Sequence, residues 1–332
     1  IGWDHKPLIC KVFPMHIAHW KDGRCSAELR FICEGVARQD GTTLGNQTDI
    51  MQAIAAPLRE RLPMSNTEYS NVNPAPLTTV RRVHEGFKTI LHKPDTPLPE
   101  RLYAVARIVD FHTQKSNRDA IASANESFSG DAVDFINKAS DILKQELAAG
   151  SASFSDRLDL RILTMGYLRD DDTATAKSPI RRFKLLGAHS IFGAGGGNLR
   201  DINSNAPGVG GREFMQNMRK LDCDEAAHEM FEQLFFGKLD AMHFCGNTVH
   251  DYTYEEGIRH LLLTAPVGYA LAASFAAVNH KPIIDRDSML AAVRLLDLTF
   301  ARSPFFRLQL AKRLIGKLTQ PANFAGILNL VF

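Results

Sequence analysis

The chain has 332 residues, 45% of them apolar and 23% charged, with 39 basic residues set against 37 acidic ones. A net charge of +2 argues against a protein whose main task is to neutralise many phosphates, and the length is ample for a substantial core. Five cysteines, odd in number and without a C-x-x-C pair, argue against a disulfide framework or a zinc ribbon and point to the cytoplasm or another reducing compartment.

In chain order, Leu8–Phe13 predicts a short strand and Ser26–Ala37 a helix. Asp49–Arg61 predicts a second helix, capped by Thr48 and stopped by Pro63, before a polar loop from Met64 to Leu77. Helices follow over Thr79–Leu91, Pro99–His112, Asp131–Ala149 and Ser155–Leu168, the third with the clearest amphipathic spacing. Lys184–Phe192 suits either a strand or a helix. Glycine- and asparagine-rich sequence then marks the main boundary in the chain. The last third predicts helices over Glu213–Phe244, Tyr254–Val278, Asp287–Phe300 and Pro304–Leu318, and an apolar ending from Phe324 to Phe332. The fold class is therefore a mainly α, multi-helix globular bundle with long polar loops and a few short strands near the N-terminus. Its regions are a mixed, mostly helical part over 1–192, a hinge over 193–212 and a helical part over 213–332. The longest apolar run, Leu261–Val278, is interrupted by Pro266 and Gly268, so no transmembrane segment is expected.

Four of the twelve histidines fall between His228 and His260, among many carboxylates. Imidazole and carboxylate are ordinary transition-metal ligands, and a Glu-x-x-His step sets both on one side of a helix. At about 100° per residue, His228 falls inside the apolar arc of its helix and Glu225 at the margin. The next helix offers Glu256 and His260, spaced i,i+4 rather than i,i+3. Glu225, His228, Glu256 and His260 are the predicted metal ligands, with iron, non-haem or haem, as the predicted cofactor.

Arg107-Ile-Val-Asp-Phe-His112 and Gly187-Ala-His189-Ser supply further candidates. These two phrases resemble the distal Arg/His and proximal Gly-Ala-His-Ser segments of the plant- and fungal-type haem peroxidases. The resemblance implies His189 as a haem ligand, with Arg107 and His112 polarising a bound peroxide. Arg107 stands one residue out of that family's register, and the family's connecting motifs are absent. The same Arg-x4-His step also resembles the all-α nucleases that cleave RNA without a metal, where His acts on the 2′-hydroxyl.

The glycines at 193–197 form a hinge, or a phosphate cradle lacking the third glycine of G-x-G-x-x-G. Asp170–Asp172 reads as a solvated turn. Arg307, Lys312, Arg313 and Lys317 give the tail a basic amphipathic character, which leaves nucleic acid open as a partner. The apolar ending is expected to dock on the body or on a neighbouring subunit as a homo-oligomer contact. Two functions follow: a soluble α-helical metal- or haem-dependent oxidoreductase acting on a small molecule, or a non-catalytic helical assembly or nucleic-acid-coating (capsid- or nucleocapsid-like) protein.

Overall fold

The segment 254–278 is apolar on every side, which a helix tolerates only when surrounded by protein or lipid. In the computed structural model it forms a 25-residue helix with its side chains buried almost throughout. The structure describes residues 13–38, 52, 54, 64–71, 74–113, 141–168, 187–188, 190–192, 194–202, 208–217 and 221–332. All but the last residue of the predicted strand Leu8–Phe13, most of the helix Asp49–Arg61, the first part of Asp131–Ala149, Asp170–Asp172 and His189 lie outside the described residues.

The described elements are a hairpin of β1 (Met15–His19) and β2 (Cys25–Leu29), then α1 (Glu34–Arg38), α2 (Leu77–Leu91), α3 (Leu98–Thr113), α4 (Phe154–Leu168), α5 (Gly211–Asn217), α6 (Glu225–Asp240), α7 (Tyr254–Val278), α8 (Arg286–Thr299), α9 (Gln309–Leu318) and α10 (Pro321–Val331). The fold is mainly α, as the sequence predicts. Helix α7 is its axis and touches α3, α5, α6, α8, α9 and α10. By length and composition it could cross a membrane, yet 89% of its most apolar window is buried inside the chain. Thr253 and Glu256 start the helix as a reciprocal capping box, and Pro266 is accommodated within it. One continuous core takes in Trp20, Phe87, Leu102, Leu163, Phe231, Leu262, Leu296 and Leu328.

Three expectations need correction. Ser26–Ala37 does not begin as a helix, because Cys25–Leu29 pairs antiparallel with Met15–His19, setting His16 opposite Glu28 and Ala18 opposite Ser26. Tertiary pairing overrides local helical propensity there. Glu213–Phe244 is not one helix: α5 ends at Asn217, and Asp224 caps a new start by accepting from the Ala227 N–H. Pro304–Arg307 forms a separate short 3-10 turn before α9. At 187–188 and 190–192 the ambiguous segment is helical; 194–197 turns with positive φ at Gly195 and Gly197 and leads into a short 3-10 helix, Leu199–Asp201.

The apolar ending docks on the body, with Phe324, Ile327, Leu328 and Val331 of α10 buried. Backbone approaches closely at Gly257 in the first turn of α7, where an added Cβ would lie 2.1 Å from the Phe244 carbonyl oxygen. Backbone cannot yield as a flexible side chain can. Gly257→Ala is expected to destabilise the protein by about 1–3 kcal/mol, seen as a lower denaturant midpoint in equilibrium unfolding.

Candidate metal centre

The hairpin reaches the helical body through β2. Glu28 points inward, buried, and its Oε1 lies 3.2 Å from Lys238 Nζ. Lys238 belongs to the buried face of α6 and reaches 3.1 Å to Asp297 Oδ1 on α8. Asp297 also accepts from Arg30 Nε at 3.0 Å and from the Phe31 N–H at 2.9 Å, while the Arg30 guanidinium donates to the Asp297 carbonyl. Two carboxylates and two cations thus alternate across β2, α6 and α8. Burial opposes ionisation of Glu28, but Lys238, His16 and His243 outweigh it and hold this carboxyl well below its usual range.

Two imidazoles meet the same carboxylate. His16 Nδ1 is 3.3 Å from Glu28 Oε1, and His243 Nδ1, from the turn after α6, is 3.7 Å from it. The two rings lie 4.4 Å apart. Burial pulls His243 below its ordinary pKa, against the raising effect of the neighbouring Glu28. Its Nε2 sits 3.1 Å from Ser26 Oγ, which accepts from the Trp20 indole N–H at 2.9 Å. The buried His243 Nδ1 has no hydrogen-bond partner. Ser26 Oγ can accept from Nε2–H or donate to a bare Nε2, so one tautomer turns an Nδ1 lone pair toward Glu28 and the other an Nδ1–H.

Among the described residues, these are the His/Cys/Asp/Glu donors grouped closely enough for an ion, with all three ligand atoms within 4.8 Å of one another. Ligand bonds of about 2.0–2.1 Å in a tetrahedral site put donor atoms roughly 3.3–3.5 Å apart. The distances to Glu28 of 3.3 and 3.7 Å are close to this spacing, and the two imidazole donors, within 4.8 Å of each other, would have to draw together around an ion. The His16 side chain is 28% exposed, so solvent reaches one flank of the group.

The predicted ligands lie elsewhere and are not brought together among the described residues. His228 is 38% exposed, hydrogen-bonds through Nδ1 to the Tyr269 hydroxyl and stands 3.5 Å from Glu232. Glu225 lies in the first turn of α6, on its exposed side. Glu256 is occupied by the cap of α7 and by Lys312, 2.9 Å away. His260 is fully buried among rings, stacked at 4.4 Å on Phe300 and flanked by Phe306, Tyr167 and Tyr252, and neither ring nitrogen has a hydrogen-bond partner.

The second group also separates. Arg107 is 42% exposed and pairs with Glu146, whereas His112 is buried with its Nδ1 3.2 Å from the Tyr69 hydroxyl. Burial lowers His112 to about 4.

Reading the sequence missed His16, Glu28 and the role of His243. His16 and Glu28 carry no signal until the hairpin register is known. Lys238 did carry one, since it falls about 20° from Phe231 on the apolar arc of α6, where a lysine demands a buried acid. Comparison with family models, curated proteins and solved structures gives no match.

Two stability predictions follow from these charges. Asp297→Ala leaves Lys238 and Arg30 short of a carboxylate and is expected to cost about 3–5 kcal/mol in equilibrium unfolding. Glu232 is lowered to about 2 by its hydrogen bond from His228 and by Arg101, against burial. A depressed acid stabilises the fold above its unfolded pKa and loses that contribution as pH falls through the folded value. The stability difference between wild type and Glu232→Gln should therefore be nearly full above about pH 4.5, fall as pH drops toward 2, and vanish only below that.

Proposed function

We propose that the protein is a metal-dependent redox enzyme whose ion, iron(II), is held by His16, Glu28 and His243. The observation that carries this reading is the buried, unpartnered Nδ1 of His243, 3.7 Å from a carboxylate that a second imidazole also faces. Two histidines and one carboxylate with an open side form the donor set of non-haem iron(II) oxygenases, and the same set serves catalytic zinc. Ser26 and Trp20 give His243 the outer support that metal-bound imidazoles ordinarily have. Iron would supply electron transfer or oxygen chemistry when bound; His16, Glu28 and His243 would hold it and limit approach to the His16 flank.

The alternative of a nucleic-acid-coating subunit draws less support. Lys312 of the basic tail is paired with Glu256, and Lys317 with Asp156 and Asp159.

Metal analysis of the purified full chain tests the reading. Wild type and His228→Ala should each hold one iron per chain, and His16→Ala, a change at the partly exposed flank, should lose it. Equal metal content in all three proteins removes the site. Stoichiometric zinc that only His16→Ala loses retains the site and overturns the redox assignment.

A further inference from the structure

Charge balance around the three ligands specifies what else an ion there must bind. Glu28 and Asp297 supply two negative charges, and Lys238 and Arg30 supply two positive ones, so the buried network is neutral by itself. Arg302 adds a further positive charge beside Arg30 and Asp297. Asp22, at the near end of the hairpin, is shared by Arg81 and Arg24, so that end adds no free negative charge either. His16 and His243 bind a metal only as neutral imidazoles. A divalent ion therefore brings two positive charges that no carboxylate in the network is free to offset. Uncompensated charge in a low-dielectric site is costly, so the loaded centre has a strong preference for an anionic co-ligand.

The approach is equally restricted. Glu28 and His243 are buried, and Ser26 and Trp20 close the far side of His243, leaving the partly exposed His16 as the open flank. Lys238 is already committed to Glu28 and Asp297, with Phe300 beneath its ammonium, so it is not available to bind a substrate directly.

We infer that an ion at His16, Glu28 and His243 takes a small monoanion, of carboxylate or similar size, as its remaining ligand from the His16 side. This rests on the metal reading above and deepens it by naming the substrate class as small anions. Two protein ligands are neutral and one is a carboxylate already shared with Lys238, so selection is by charge as well as by size.

The test uses the full chain loaded with cobalt(II), whose visible spectrum reports its coordination, titrated with formate and with formamide. The two probes match closely in size and differ in charge. Formate should shift the spectrum saturably and bind about tenfold or more tighter than formamide, as expected for one unit charge near a buried cation. Cobalt that binds stoichiometrically but responds equally to both probes, or to neither, overturns the anion inference and leaves the metal site standing. Failure of cobalt to bind, with no difference between wild type and His16→Ala, overturns the metal site and this inference together.

Discussion

A lysine in the middle of an apolar helix face constrains the whole fold. Lys238 lies among Phe231, Leu234 and Phe235 on the buried side of α6, where an unpaired ammonium would be strongly unfavourable. It is tolerated because Glu28 and Asp297 converge on it, from 210 residues before and 59 residues after in the chain. Arg30 then balances Asp297. A buried network of this kind contributes little net stability compared with apolar packing, yet breaking any member is costly. Its consequence is specificity of arrangement: the hairpin, α6 and α8 can meet in few other ways.

The same constraint builds the candidate centre. Once β2 delivers Glu28 to Lys238, cross-strand pairing places His16 opposite it, and the turn that ends α6 five residues beyond Lys238 supplies His243. Ligands on a paired strand and at the end of a packed helix are held more firmly than ligands on loops. Structural network and proposed metal site therefore share Glu28, so its carboxylate both anchors the hairpin and faces the two imidazoles.

Burial of an imidazole has a different meaning at each position in this molecule. His260 is deeper than His228 and more apolar in its surroundings, and burial keeps it neutral, well below its usual pKa. Its contacts are the faces and edges of aromatic rings, with no carboxylate directed at it among the described residues. His228 has an acid within reach but sits at the surface in a hydrogen-bonded chain with Tyr269, Glu232 and Arg101. Only at His243 do burial, an unpartnered nitrogen and a facing carboxylate coincide among the described residues.

The helices were legible because their signals are local. Apolar periodicity, proline stops and turn residues fall within a few residues of one another, so Thr79–Leu91, Pro99–His112 and Tyr254–Val278 match their observed helices within two residues. The crowding of histidines between His228 and His260 was equally visible, but nearness in sequence does not set direction around a helix or across a turn. Those four imidazoles go to four different surroundings. Strand β2 was misread because its identity depends on a partner and on an acid-to-lysine contact hundreds of residues away. By itself the sequence determined which segments coil and which residues must be covered. Tertiary structure alone decided which charged groups meet inside, because that depends on long-range compensation of buried charge, which no local pattern records.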